Sequence, residues 1–305
     1  MSADFSARGS SDALPASLAR AAGIIEIALG ELLGEPTGAE GRLIESMRYA
    51  SLNGGKRMRG FLVLEVAGLF GVPERMAARV AASVEMLHAY SLVHDDLPAM
   101  DDDDLRRGQP STHRKFDEAT AILAGDALQA RAFEVLAEAS THPDPLARCE
   151  LVAALGMASG ARGMAGGQMI DMQTEGCVLT EPEVVRLQAL KTGRLIQYSA
   201  EAGAILGRAP AGVRAHVAAY GRDLGAAFQI ADDLLDAVGE TTDIGKTAGK
   251  DAAAGKATLV ALMGVERAGD HAQMLSMQAA SHLDGFGPEA QNLRDLAAYV
   301  VARRY

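Results

Sequence analysis

The sequence predicts an all-α protein, a single large bundle of roughly ten helices. Apolar residues recur at helical spacing along most of the 305 residues, and no alternating strand pattern persists. No internal repeat of fixed period is present, and no linker divides the chain. The composition is rich in alanine, leucine and glycine but only 4% aromatic, which favours closely packed helices over sheets. At 49% hydrophobic, the chain can bury a large core without disulfides.

Residues 1–11 lack the apolar stretch of a signal peptide and are expected to form a disordered tail, with residues 12–305 as one domain. A first helix is predicted over 16–34, ended by Gly34-Glu35-Pro36, and a second over 42–52, ended by Asn53-Gly54-Gly55. A third, 59–70, breaks at Gly71-Val72-Pro73. A long helix from 74 to about 97 delivers His88, Tyr90, His94 and the first aspartates to a loop. Helix resumes over 118–140 and stops at His142-Pro143-Asp144-Pro145. Residues 146–172 and 181–207 read as further helical stretches, followed by 211–238. A polar loop rich in Gly and Lys covers 239–255, and helices over 257–268, 270–283 and 288–301 complete the chain.

The formal net charge of −11 argues against a nucleic-acid partner, so anionic ligands must be held by local cations or metal. Cys149 and Cys177 fit no zinc spacing and no disulfide framework, which points to reduced thiols in a cytoplasmic protein. No uncharged apolar run reaches membrane-spanning length, so no integral membrane association is expected.

Two aspartate clusters carry the chemistry. The first runs Asp95-Asp96-Leu97-Pro98-Ala99-Met100-Asp101-Asp102-Asp103-Asp104 and is followed by Arg106-Arg107-Gly108; the second is Asp232-Asp233-Leu234-Leu235-Asp236. Carboxylates ending apolar helices repel one another unless protonated or bridged by a cation. An oxygen-only set suits Mg²⁺, which keeps positions open for phosphate oxygens. Asp232 and Asp236, four apart, share a helix face with Gln229, while Asp233 points about 100° away. Gly221 and Gly225 upstream admit a neighbouring backbone. Pro98 disfavours continued helix, so the chain should bulge and return Asp101 beside Asp95. The guanidinium forks of Arg106 and Arg107 match phosphate oxygens, although neutralising the acidic run is the blander role.

A third element, Gly54-Gly55-Lys56-Arg57-Met58-Arg59, places glycine backbone donors before a helix and lacks the spacing of a Walker loop. Lys56 and Arg59, three apart, are expected on one face. His88, seven residues before Asp95, lies on the same helix face, although a lone His is usually structural. Gly166-Gly167-Gln168-Met169-Ile170-Asp171, Lys191-Thr192-Gly193 and residues 245–251 are weaker signals. Lys191 and Thr192 interrupt an apolar helix, which is unfavourable without a partner.

Taken together with Phe116 and Ala121-Ile122-Leu123-Ala124-Gly125-Asp126, these residues resemble the trans-prenyl diphosphate synthases, nearest to the bacterial farnesyl branch. The likeness is strong over about residues 40–262. It implies an isoprenoid-synthase bundle around a central cavity and a head-to-tail condensation of isopentenyl diphosphate with dimethylallyl and geranyl diphosphate. The products would be farnesyl diphosphate and pyrophosphate. It further implies Mg²⁺, three ions per site with Mn²⁺ as substitute, held by Asp95, Asp101 and Asp232 with Asp96 and Asp236 in support. Arg106, Lys191, Thr192, Gln229, Lys246 and Lys256 would hold the allylic diphosphate. Lys56 with Gly55 beside it, Arg59, His88 and Arg107 would hold isopentenyl diphosphate. Asp95, Asp101, Arg106, Lys191 and Asp232 are the expected catalytic set, and a homodimer is the expected assembly.

Two places depart from the family pattern: Gly60 stands where Pro is frequent, and the stretch Ala257-Thr258-Leu259-Val260 replaces a usual Ser/Ala-Thr-Tyr-Pro. Product length should depend on Tyr90 and Ser91, about one turn (roughly 6–7.5 Å) below Asp95. A Tyr there can act as a floor, with Leu87, Met86 and Ser83 on the next turn, although ordinary core packing is the competing role for an aromatic. Alternatives are a geranyl or geranylgeranyl diphosphate synthase, a non-catalytic subunit of a heteromeric prenyltransferase, a terpene cyclase, or a Mg²⁺-buffering bundle. Intact aspartate motifs weigh against the subunit. The Lys56/Arg59 element weighs against the cyclase, and the arginines against the buffer.

Overall fold

A computed structural model describes residues 13–174, 176–238 and 258–302. The expected tail, Lys246, Lys256 and the basic residues Arg303 and Arg304 lie outside them. The helices are α1 (Ala13–Leu33), α2 (Gly41–Leu52), α3 (Met58–Leu69), α4 (Glu74–Asp95), α5 (Thr112–Lys115), α6 (Glu118–Ala137), α7 (Pro145–Ser159), α8 (Met164–Gln173), α9 (Glu181–Gln188), α10 (Arg194–Leu206), α11 (Ala211–Val238), α12 (Leu259–Met263), α13 (Val265–Ser281) and α14 (Gln291–Ala302). A π-helical turn, Ala189–Gly193, joins α9 to α10, and a 3₁₀ segment, Asp284–Ala290, precedes α14.

Helix α4 is central. From Ala77 to Val84 only Arg79 is not buried, and Met86, Leu87, Ala89 and Val93 continue the core, as expected of a helix enclosed on most sides. It packs on α1, α3, α6 and α10, while α11 packs on α10 and α13. One core joins α1, α4, α6, α7 and α10, and a second joins α3, α10, α11 and α14. Small residues permit the tight crossings. At Gly203 of α10 a Cβ would lie 2.7 Å from the Ala67 backbone N of α3. At Gly221 it would lie 2.9 Å from Gln197 Cα, and at Gly225 3.0 Å from Gly193 Cα, the close approach expected of that pair.

Local chemistry explains the breaks. Asp117 caps α6 through the Thr120 N–H, Asp144 caps α7 ahead of Pro145, and Thr180 with Glu183 forms a capping box on α9. The expected stretch 146–172 divides at Gly160–Gly163, where a Cβ on Gly163 would meet the Ala158 carbonyl oxygen at 2.1 Å. The stretch 181–207 is interrupted by the π turn. Near the C-terminus the break falls at Gly264, whose φ of 84° is left-handed, and not at Gly269, which stays helical inside α13. The expectation of no strands needs a small correction. Leu105–Arg106 (β1) pairs antiparallel with Gln109–Pro110 (β2), too short a run to show alternation in sequence.

Candidate active site

The chain past Pro98 folds back on the end of α4. The Asp101 N–H donates to the Asp95 carbonyl at 2.8 Å, and the Asp103 N–H donates to the Asp96 carbonyl at 3.2 Å, so Asp101 returns beside Asp95 as its spacing suggested. The β1–β2 hairpin then turns on Arg107 and Gly108, with φ of 53° and 74°, the left-handed pair that a two-residue type I′ turn requires. This turn sends the two arginines to different partners. Arg106 grips Asp96, with Nε 3.0 Å from Oδ1 and Nη2 also bonded, and reaches Asp103 at 3.6 Å. Asp96 is buried, and in this arrangement its carboxylate positions Arg106. Burial alone would lower the Arg106 pKa, but Asp96 overrides it and the net shift is upward. Arg107 instead donates to the Gly54 carbonyl and lies over Gly55, where a Cβ would fall 2.6 Å from its guanidinium.

The Gly54-to-Arg59 element differs from expectation in one respect. Arg57, with φ 48°, is the left-handed N-cap of α3, so Lys56 precedes the helix and does not share a helical face with Arg59. Lys56 is exposed at the mouth of a cavity of about 320 Å³ between α1, α3 and α14. Arg59 points inward, its Nη1 3.3 Å from His88 Nε2. Guanidinium offers only donors, so Nε2 accepts and the imidazole proton resides on Nδ1. Burial, then Arg59, Arg107, Arg106 and Arg57, hold the His88 pKa well below its usual value, leaving a neutral ring. Burial also lowers the Arg59 pKa, opposed by Glu85 and by Asp232 of α11. Arg59 thus lies within electrostatic reach of the second aspartate cluster.

Arg57 itself is buried and structural. It donates to the Ser51 carbonyl at 2.6 Å and pairs with buried Glu85 at 3.5 Å. The other Glu85 oxygen accepts the Gly60 N–H at 2.9 Å, a bond that a Pro at position 60 could not donate. Glu85→Leu should cost about 3 kcal/mol by leaving the buried Arg57 charge only the exposed Glu26, 3.8 Å away, read as a lower urea midpoint; an unchanged midpoint would refute the pairing. Sequence reading passed over Glu85, although an acid alone between Glu74 and Asp95 on an apolar helix signals a partner.

Across the cleft the π turn carries Lys191 and Thr192. Lys191 Nζ donates to Asp171 Oδ2 at 2.6 Å, the partner its apolar setting demanded. Gly167 lets α8 touch this turn, since a Cβ there would sit 2.3 Å from the Lys191 backbone N. Thr192 donates to Gln229 Oε1 at 2.7 Å. Gln229 and buried Gln188 donate to the two oxygens of Asp233 at 2.9 and 2.6 Å, so Asp233 ties α9 to α11. Asp233, Gln188 and Asp171 were not assigned from sequence; the orphaned polarity of Lys191 was the available signal for the last.

Burial raises the Asp95 pKa to about 6; Lys191 and Arg106 oppose the rise while Asp101 and Asp96 add to it. A desolvated carboxylate pair of this kind calls for positive charge. Among the described residues no three His, Cys, Asp or Glu side chains converge as a protein-only metal cage. Sparse carboxylates on two walls fit Mg²⁺, which takes its remaining oxygens from water and phosphate. Below Asp95, half-buried Tyr90 packs edge-on against His94 at 5.2 Å between centroids. Ser91 closes onto the His88 carbonyl, and Ser83, Met86 and Leu87 are fully buried, Ser83 donating to Ala132 of α6. Cys149 and Cys177 are free and exposed.

The polyprenyl synthetase family model matches residues 40–284. Farnesyl diphosphate synthase of Escherichia coli K12 is 43% identical over 267 residues, covering 86% of this chain and 89% of that protein. Geranylgeranyl pyrophosphate synthase 4 of Arabidopsis thaliana is 42% identical over 245 residues, covering 79% and 65%. The apo crystal structure of an FPP/GFPP synthase from Zymomonas mobilis aligns with a TM-score of 0.86 at 47% identity, over 95% of this chain and 99% of that one.

Proposed function

This chain belongs to the polyprenyl synthetase family and is a transferase, and from that premise we propose that it makes farnesyl diphosphate by head-to-tail condensation. Its substrates are isopentenyl diphosphate and, in turn, dimethylallyl and geranyl diphosphate. The carrying observation is the opposition of charges: Arg59 with its His88 partner bears on Asp232, while Lys191 bears on Asp95. Two cationic patches flanking two carboxylate walls suit two diphosphates and intervening cations.

In this reading Lys56, Arg59, His88, Arg107 and the Gly55 backbone hold isopentenyl diphosphate. Arg106, Lys191, Thr192 and Gln229, with Lys246 and Lys256, hold the allylic diphosphate. Mg²⁺, bound through Asp95 and Asp101 on one wall and Asp232 and Asp236 on the other, would neutralise charge on the departing diphosphate. The allylic C1–O bond breaks with its electron pair leaving on the diphosphate. The isopentenyl double bond supplies the pair for the new C–C bond, and the released proton passes to the pyrophosphate. In this reading the apolar residues one and two turns below Asp95 on α4, Tyr90 and Leu87, keep water from the cation.

Among the described residues no helix is long and apolar enough to cross a membrane. A homodimer and a cytoplasmic setting belong to the same reading; exposed Ile122 and Leu123 of α6 offer apolar surface for the former.

Incubation with isopentenyl diphosphate, Mg²⁺ and each of the C5, C10 and C15 primers tests the assignment. C15 product from the two shorter primers is expected; no condensation from any primer would overturn it. The seating of Tyr90 favours C15 over C20, and Tyr90→Ala should shift most product to C20 or longer in the same assay. An unchanged C15 profile would remove Tyr90 as the floor.

A further inference from the structure

Gln168 of α8 stands apart from the other polar groups of the site. Both amide atoms, Oε1 and Nε2, are shielded from solvent, and neither has a hydrogen-bond partner among the described residues. Leaving such a group unpaired is costly, and a native protein that tolerates it does so for a reason. Its position supplies one. Gly167, the preceding residue, lies against the Lys191 backbone, and Asp171, one turn further along α8, holds Lys191 Nζ at 2.6 Å. Residues three apart lie on neighbouring lines of a helix surface, so the amide is placed beside the Lys191 turn.

We propose that Gln168 is a further substrate-binding residue, its Nε2 donating to the diphosphate of the allylic substrate next to Lys191. The assignment rests on the condensation reading above. The buried amide has no partner among the described residues and is satisfied when an anion accepts from it. Binding the ligand therefore recovers what the ligand-free fold forgoes, which makes the residue selective for an occupied site. An amide suits this position better than a second cation, because Lys191 already supplies the charge and a neutral donor adds direction.

The test uses the full chain with Gln168→Leu, which keeps volume and removes both polar atoms, and Gln168→Glu, which keeps an acceptor but brings negative charge. For Gln168→Leu we expect the KM for geranyl diphosphate to rise about tenfold or more with the KM for isopentenyl diphosphate unchanged, and the ligand-free protein to melt at or above the wild-type temperature. Gln168→Glu should weaken geranyl diphosphate further. The melting shift produced by a non-reactive thiolo-diphosphate analogue of the allylic substrate should shrink in both variants. A ligand-free Gln168→Leu that melts several degrees lower, with both KM values unchanged, would show that the amide has a structural partner and overturn the proposal, as would equal rises in both KM values. If wild type fails to condense the substrates, the functional reading fails; the analogue's melting shift, compared between wild type and variant, still decides the role of Gln168.

Discussion

Asp95→Asn should reduce kcat on the order of 10²–10³-fold while making the ligand-free protein more stable at pH 7.5. Both effects follow from burial of the carboxylate. In the fold the group titrates near pH 6, against 3.8 as its ordinary value, so between these limits the folded state binds its proton more tightly than the unfolded chain does. Stability therefore falls as pH rises through that window and stays lowered above it. The amide carries no charge to desolvate, so the gain at pH 7.5 is at most about 3 kcal/mol and vanishes below about pH 4. Urea midpoints in EDTA at pH 7.5 and 4.5 read the difference directly. Equal midpoints for variant and wild type at pH 7.5 would contradict the desolvated carboxylate, and full activity would contradict its place in the site.

Gly167→Ala should lower kcat about 100-fold, and by a different route. The added Cβ would lie 2.3 Å from the Lys191 backbone N and 2.6 Å from its Cα, and a backbone cannot rotate aside as a side chain can. Either α8 or the π turn must shift by about 1 Å, a displacement sufficient for such a loss when it moves a charged group of the site. The accompanying destabilisation is about 1–3 kcal/mol. Gly203→Ala, crowded at 2.7 Å by the Ala67 backbone at the α3–α10 crossing, is the control. It should lose comparable stability and keep its kcat at a temperature where both variants are folded. Wild-type turnover by Gly167→Ala would mean that the placement of Lys191 does not matter.

Much of this was legible in the residues. Periodicity and Gly/Pro punctuation located the start of α11 at Ala211 and α4 to within a few residues, because those signals are local. Asp101 returning to Asp95 was legible because Pro98 leaves few alternatives. The π turn was not, since Lys191 and Thr192 show only that something polar must be met there, and what they meet, Asp171 and Gln229, depends on packing across helices. The three-residue spacing of Lys56 and Arg59 gives a shared face only inside a helix; the left-handed Arg57, a conformation unusual for a residue with a Cβ, caps α3 at Met58 and leaves Lys56 outside it. The division of labour between Arg106 and Arg107 likewise required the hairpin, whose two-residue strands carry no periodicity.

The two walls of the cleft are also separated in time. α4 ends at Asp95 and α11 begins at Ala211, so at 5–20 residues per second some 6–23 s of synthesis pass between them. Throughout that interval the nascent chain carries one carboxylate wall without the second. A small-molecule ligand that bridges both walls therefore cannot template early folding; it can only lock the finished chain. Before then, stability rests on the apolar contacts that α4 makes with α1, α3 and α6, all of whose residues are synthesised before the second wall emerges.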